Sequence, residues 1–427
     1  MAIVQLKSTN PNFSFLIRKN PASGMLIRSI RKGFGYGWFK DENTYNVYFK
    51  DADNDISYKQ HRDEKFEYMN VTRYVSPFAI LNIINEYFDA PLKTKRDFDE
   101  ADHYVNEFLI LLVSIQNKKY IRFFREHFPD FELATEAKAL NTYRVKVSTS
   151  KSVHELVNYV SLFCLFMALF SDEYMDVDEA LIKKYLSIIN TLDAPFYIRH
   201  LFGRNFLYTR DRFAKFKKEL ESTSRYDIRF QYGNTGVQRR DAIRKHLAFD
   251  KPILDIGCGE GFYAIPFAKN LGSRLYYAVD INEDLLRVVE RKAGKEELVN
   301  ILTFNSIHAF LQHYEGERVD VILTEVIEHM PVPEAEALIQ TVLANVNFDQ
   351  FIVTTPNREF NVFYELEGFR NEDHKWEMTS DEFQKWLSEL CGNGHEVSFQ
   401  PIGDSVNGIS TTQGALIRKK EPVLDVA

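Results

Sequence analysis

The residues best suited to chemistry lie in TEVIEHM at 324–330, where Glu325, Glu328 and His329 stand at spacing i, i+3, i+4. On a helical turn those three side chains share one face. Two carboxylates and an imidazole pointing one way cost stability unless something positive sits among them, so a cation is the natural occupant. A fourth ligand could come from NEDHKWEMTSDEF at 371–383, where His374 is flanked by acids. Two carboxylates with two imidazoles suit a divalent ion that keeps open positions for water or substrate. Oxygen ligands favour magnesium or manganese, and the two nitrogens tilt the balance toward manganese or its neighbours. The competing reading makes 325–329 a helix N-terminus, where Glu is welcome and His329 merely caps. A cofactor motif nearby decides for the metal.

That motif is ILDIGCGEGFYAI at 253–265, which reads as strand, glycine turn and helix. Gly257, Gly259 and Gly261 let the backbone turn sharply and approach a ligand. The spacing is GxGxG after Asp255, not the GxGxxG of dinucleotide binders, and no lysine follows as in a P-loop. An acid ahead of the glycines suits a cationic ligand better than a pyrophosphate. Asp280 closes the next apolar run, LYYAVD, where its carboxylate can accept both hydroxyls of a ribose diol. Cys258 reads as a small filler, because no His or basic partner lies beside it. The pattern resembles the class I S-adenosylmethionine-dependent methyltransferases. That resemblance implies that Asp255 sits near the methionine end of the cofactor, and Ser306 and Ile307 near the adenine.

The elements that must position these groups follow from the grammar of the second half. PILDIG, RLYYAVD, ERVDVILTE and DQFIVTTP alternate with helical stretches such as EDLLRVVERKAG and PEAEALIQTVLANV. Strands alternating with helices of this length imply a doubly wound, mostly parallel sheet, seven-stranded by the resemblance. Glu325–His329 then lies at the carboxyl end of the fourth strand, the edge at which open α/β sheets bind ligands.

Upstream the pattern differs. Residues 1–75 read as short strands broken by turns (FSFLIRKNP, GFGYGWFK, TYNVYFKDADND), and 76–230 as mainly helical, starting at Ser76-Pro77. The expected domains are therefore a β-rich 1–75, a helical 76–230 (together an α+β N-terminal region) and an α/β 231–427. Charge supports the last boundary: residues 1–230 hold 34 Lys+Arg against 30 Asp+Glu, and residues 231–427 hold 19 against 31. The run Arg199, Arg204, Arg210, Arg212, Lys215, Lys217 and Lys218 is either a solvated helix face or an RNA or partner contact. The 35 Phe and 22 Tyr are read chiefly as core. Three scattered cysteines give no disulfide or zinc framework and point to the cytoplasm. The most apolar window, 156–171, is too short and too polar at its centre for a membrane span and is expected to be a buried helix.

EVIEH (325–329), TTPNREFN (354–361), RNEDHKWEMTSDEF (370–383) and TTQGALI (411–417) together resemble the HEN family, the bacterial small-RNA 3′-terminal 2′-O-methyltransferases. The resemblance covers about 231–420. It implies metal ligands at Glu325, Glu328, His329 and His374. It also implies a loop beside the RNA terminus carrying Thr355, Pro356, Asn357 and Asn361. One departure is visible: the family's Phe-Glu-Trp-Thr-Arg is here Trp376-Glu377-Met378-Thr379-Ser380. The N-terminal half resembles the family's amino-terminal module, which implies RNA repair alongside an RNA ligase and a polynucleotide kinase-phosphatase that mend cut tRNA.

The implied reaction is metal-dependent transfer of the methyl of S-adenosylmethionine to the 2′-hydroxyl of an RNA bearing a free 3′-terminal ribose diol. His329 or a metal-bound water would take the proton. With a catalytic half this acidic, RNA affinity is expected to come from the net-positive N-terminal half or a partner. Two alternatives stay open: a scaffold for an end-healing complex, and a methyltransferase acting on a small molecule or a protein.

Overall fold

A computed structural model of the protein describes residues 3–30, 33–51, 72–171 and 177–420. Packing divides the chain into two units, Met1–Pro195 and Phe196–Ala427.

In the first unit the strands are β1 (Ile3–Ser8), β2 (Leu26–Ile30), β3 (Gly33–Asp41), β4 (Thr44–Asp51), β5 (Asn106–Ser114), β6 (Glu132–Ala139) and β7 (Thr142–Thr149). They form one antiparallel sheet in the order β2-β3-β4-β1-β5-β7-β6. Of the strands expected before residue 75, GFGYGWFK and the described part of TYNVYFKDADND are β3 and β4, and the expectation over 52–71 lies outside the described residues; FSFLIRKNP is corrected, because Phe13–Leu16 forms a short helical turn that buries Phe13 and Leu16. The expectation of a mainly helical 76–230 is corrected: β5, β6 and β7 lie inside it. The run NEFLILLVS is apolar enough to be a buried helix or a buried strand, and periodicity alone does not separate the two. Pairing with β1 on one side and β7 on the other makes it a strand. Two helices follow the sequence signals. Ser76 Oγ accepts the amides of Phe78 and Ala79 at the start of Pro77–Tyr87. Ser152 and Glu155 form a capping box on Val153–Leu169, whose side chains from Val153 to Ala168 are all buried except Glu155. That helix contains most of the apolar window, and among the described residues no helix is long and apolar enough to cross a membrane.

The second unit holds β8 (Ile228–Arg229), β9 (Ile253–Ile256), β10 (Tyr276–Val279), β11 (Ile301–Phe304), β12 (Val319–Thr324), β13 (Phe348–Pro356), β14 (His395–Val406) and β15 (Ile409–Lys419). Their order is β11-β10-β9-β12-β13-β15-β14-β8. Strands β9 to β13 run parallel, and β15 enters antiparallel to β13. The expected seven strands are joined at the edge by the two-residue β8, which makes eight. Alternate residues of the central strands face two cores. Leu254, Val321, Leu323 and Val353 meet the helices Val332–Asn345 and Ser380–Cys391 on one face. Ile253, Ala278, Ile322 and Ile352 meet Ile243 and Phe267 on the other. Strands buried on both faces read as continuous apolar runs, which is why they were visible in the sequence.

The helices Phe196–Phe206 and Arg210–Leu220 group with the second unit, ahead of the compositional break near 231. Part of the basic run is therefore tied into that unit, while Arg210, Lys215 and Lys218 remain exposed. Arg199 is fully buried and donates to the Leu220 carbonyl at 3.0 Å. Arg204 pairs with buried Asp404 at 2.7 Å, and Arg210 with Asp241 at 2.9 Å. Residues 1–195 hold 25 Lys+Arg against 26 Asp+Glu, so the first unit carries no positive excess. Net charge therefore gives the first unit no advantage in binding RNA.

Candidate active site

Chain order reverses direction across the sheet between β9 and β12, which lie side by side. The crevice outside their carboxyl ends is the ligand position of doubly wound sheets. The glycine turn leaves β9 there, and Glu325–His329 leaves β12 beside it. All three glycines adopt positive φ, at 77°, 53° and 79°. A Cβ at Gly257 would collide with Val326 of the neighbouring turn, so that position admits glycine alone. A Cβ at Gly259 would meet nothing, which leaves open space above the turn for a ligand.

Two acids set that turn. Asp280, just past β10, accepts the Gly259 amide at 2.8 Å and the Asn282 amide at 2.9 Å. Asp255 is fully buried on β9 and accepts the Tyr276 hydroxyl at 2.7 Å. Its Oδ1 has no hydrogen-bond partner among the described residues, and burial pushes its pKa up to about 7. Ser306 caps the helix Ile307–His313 by accepting the Ala309 amide, at the end of β11. Ile281, beside Asp280, is 90% exposed, an apolar surface available to a flat ring. The orphaned Asp255 oxygen, the open glycine turn and the bare Ile281 fit S-adenosylmethionine. Cys258 is buried and burial raises its thiol pKa, in keeping with a filler role.

The metal candidates converge in part. Glu328, His329 and His374 offer ligand atoms that all lie within 4.8 Å of one another. Glu328 sits on the short helical turn Ile327–His329 with no exposed surface. Its Oε2 accepts the Thr355 hydroxyl at 3.1 Å, while Oε1 has no hydrogen-bond partner among the described residues. Burial, and then the Glu325 charge, drive its pKa well above the ordinary carboxylate range. A buried carboxylate with one oxygen unpartnered among the described residues, gathered with two imidazoles, is the donor set of a divalent cation. Glu325 is engaged differently. It follows β12 in the left-handed region (φ 54°), and its Oε2 pairs with Arg239 Nη1 at 3.1 Å. Its Oε1 accepts the Thr354 hydroxyl at 3.2 Å. The structure thus gathers three of the four expected ligands and ties the fourth to an arginine on the helix Thr235–Arg244.

Both histidines are oriented. His374 Nδ1 lies 2.5 Å from Glu377 Oε1, which directs Nε2 toward the cluster, next to Asn371 Nδ2 at 3.1 Å. His329 Nδ1 lies 3.0 Å from Asp373 Oδ2. Glu377 is in turn fixed by the Arg370 amide at 2.7 Å and by Asn361 Nδ2 at 2.5 Å. Arg370 donates to Asn361 Oδ1 and to the carbonyls of Asn357 and Thr411. Partners of this kind fix the tautomer and direction of ligating histidines.

This network changes the reading of the proposed RNA-facing loop. Thr355, Asn357 and Asn361 are buried, with Thr355 supporting Glu328 and Asn361 supporting Glu377. Asn357 accepts the Glu359 amide, and the Pro356 carbonyl accepts from Gln413. Their side chains brace the site from within, because the chain end of β13 folds back under it. Arg239, Arg370, Asp373 and Glu377 were not singled out in the sequence. Three of them stand inside the RNEDHKWEMTSDEF motif, so the motif itself was the signal; Arg239 had none.

Residues 3–225 match the family model of the Hen1 N-terminal domain, and residues 253–347 a methyltransferase-domain model. A chain in the structure of the Pnkp1/Rnl/Hen1 RNA repair complex is similar over 98% of this chain and 100% of its own, with a TM-score of 0.80 and 28% identity. A small RNA 2′-O-methyltransferase of Caenorhabditis elegans is 34% identical over 153 residues, 32% of this chain and 35% of the relative. One of Schizosaccharomyces pombe is 30% identical over 196 residues, 39% of this chain and 51% of the relative. The matches thus span about a third to a half of the length of these curated relatives.

Proposed function

The chain belongs to the Hen1 family, and from that premise we propose that it moves a methyl group from S-adenosylmethionine to the 2′-hydroxyl of an RNA's 3′-terminal nucleotide, in a metal-dependent step of bacterial tRNA repair. The observation that carries the reading is Glu328: a buried carboxylate with one oxygen unpartnered among the described residues, gathered with two imidazoles beside the glycine turn. Relatives named small RNA 2′-O-methyltransferases support the choice of acceptor.

Glu328, His329 and His374 would hold the cation, manganese or magnesium, with Glu325 beside them as the fourth candidate. When bound, the cation would supply Lewis-acid chemistry at the hydroxyls of a terminal ribose, and S-adenosylmethionine would supply an electrophilic methyl. The protein's own residues do the positioning. Asp280 and the glycine turn would hold the cofactor's ribose, with Asp255 toward its methionine end and Ser306, Ile307 and Ile281 toward its adenine. Glu377 and Asp373 aim the two imidazoles. His329 keeps Nε2 outside its pair with Asp373, for the metal or for the proton leaving the 2′-hydroxyl. Fixing an acceptor oxygen against the methyl group is the main source of acceleration expected here.

The test is radiolabelled methyl transfer to RNAs ending in a free diol, a 2′-deoxy, a 3′-deoxy or a 3′-phosphate ribose, with and without manganese. Transfer is expected to the diol alone and only with the metal. Equal transfer to 3′-deoxy and 3′-phosphate ends would overturn the demand for two neighbouring hydroxyls. The N-terminal module is proposed to dock or activate an RNA ligase and a polynucleotide kinase-phosphatase, a reading supported by the full-length likeness to a chain of the repair complex. Copurification with those two enzymes tests it.

A further inference from the structure

Basic residues of the second unit gather against its overall charge. The helices Arg210–Leu220 and Thr235–Arg244 together hold eight Lys+Arg against three Asp+Glu, in a unit that carries 28 against 35. Three of these arginines lie over aromatic rings. The Arg212 guanidinium stands 4.9 Å from the centre of the Tyr208 ring, that of Arg210 4.8 Å from Tyr232, and that of Arg240 4.6 Å from Phe262. At such distances the ring's quadrupole attracts the cation. Tyr208 is 57% exposed and Phe262 42%, so folding leaves both rings in water. Arg212 also donates to the Tyr208 hydroxyl at 3.1 Å, and neither it nor Arg240 has a carboxylate partner among the described residues.

The three pairs adjoin one another and the reaction centre. Phe262 follows Gly261 of the glycine turn, and a Cβ at Gly236 would touch its ring at 3.5 Å, so the start of the helix Thr235–Arg244 packs against it. On that helix Arg239 reaches Glu325, Arg240 covers Phe262, and Asp241 accepts from Arg210 at 2.9 Å. Tyr232, under Arg210, donates its hydroxyl to the Tyr208 carbonyl at 2.8 Å. The strip therefore starts at the mouth of the crevice and leads outward, by way of Tyr232, to Tyr208 and Arg212.

Charge alone would need only solvated lysines. Exposed rings that each carry a guanidinium offer a face for a base and N–H donors for a phosphate, the combination that holds single strands without regard to sequence. A duplex keeps its base faces within its own stack, and an acidic protein surface would use the charges but not the rings. A single strand uses both.

Resting on the proposed RNA reading, we propose that this strip, from Phe262 and Arg240 to Tyr208 and Arg212, holds the single-stranded nucleotides that precede the RNA's 3′ end, with bases on the rings and phosphates on the arginines. The experiment uses the full chain and two RNAs with a 3′ diol, a single-stranded oligonucleotide and a dinucleotide too short to leave the crevice. Tyr208→Ala alters the far end of the strip. It is expected to raise KM for the oligonucleotide roughly tenfold, the scale of one lost base–aromatic contact, and to leave kcat and the KM of the dinucleotide unchanged. Arg212→Gln and Arg240→Gln should each make the slope of log affinity against log salt shallower by about 0.7, read from the fluorescence anisotropy of the labelled oligonucleotide. Thermal melting checks that each variant is folded. Unchanged KM and slopes in all three variants overturn the strip, as does an equal rise in KM for both RNAs in Tyr208→Ala. Native RNA binding with lost copurification of the ligase or the kinase-phosphatase also overturns it, and assigns the strip to a protein contact. Anisotropy needs no methyl transfer, so RNA binding that weakens in these variants, in a protein that methylates no diol-ended RNA, overturns the functional reading and leaves the strip standing.

Discussion

Glu328 and His374 show how the site depends on single atoms. Glu328→Gln keeps the size of the side chain and its contact with Thr355 but removes the charge that a dication needs. Methyl transfer is expected to fall by roughly a thousandfold or more while S-adenosylmethionine binding, measured by calorimetry, is retained. Loss of both would indicate a folding role. Glu377 touches no proposed substrate and acts through His374. Glu377→Gln leaves an amide against Nδ1 and weakens the orientation of the ring, so the affinity for manganese should drop roughly 10- to 100-fold. A metal titration followed by calorimetry reads this directly, and unchanged affinity would leave Glu377 a purely structural residue. Arg239 adds a warning for interpretation. It holds Glu325 at 3.1 Å, so substituting either one disturbs the partner as well as the site.

At the scale of the element, β12 carries both the site and a liability. Asp320 is 1% exposed on that strand, and its Oδ1 lacks a hydrogen-bond partner among the described residues. Burial raises its pKa from 3.8 to about 6, despite help from Gln350 and Lys251. The folded state therefore holds this proton more tightly than the unfolded state does. The resulting stability is present below about pH 4 and is lost as pH rises toward 6. Asp320→Asn removes that dependence. The variant should gain stability over the native protein as pH is raised from 4 to 6 and keep the gain above that. A rise in pKa of this size corresponds to a gain of about 3 kcal/mol at neutral pH. Denaturant melts at pH 4.5 and 7.5 check it, and an equal difference at both would refute the assignment. The short strand β8 and the helices Phe196–Phe206 and Arg210–Leu220 make the complementary point. They belong to the second unit by packing although their composition places them with the preceding segment.

For the molecule as a whole, charge must be counted by packed unit. The second unit, 196–427, carries 28 Lys+Arg and 35 Asp+Glu, and the first is close to neutral. RNA affinity that depends on phosphate contacts scales with the number of counterions released. Residues 196–427 and the full chain should therefore give slopes of log affinity against log salt that agree within about one ion. A clearly shallower slope for the fragment would place phosphate contacts in the first unit. The 98% coverage of a chain from the repair complex makes the full chain the form in which partner binding is to be measured.

The sequence alone determined what local pattern encodes. The glycine turn, the strand–helix alternation of the second half, the capped helices and the Glu-x-x-Glu-His run all depend on neighbours within a few residues, and each was legible. Tertiary structure decided what depends on distant partners. Whether NEFLILLVS is strand or helix rests on its pairing with β1 and β7. Whether Glu325 faces a metal or an arginine rests on Arg239, 86 positions away in the chain. Whether Asn361 meets RNA or Glu377 rests on how the loop after β13 folds back. Spacing along a chain can group side chains on one face, but only the packed molecule settles which charge each of them meets.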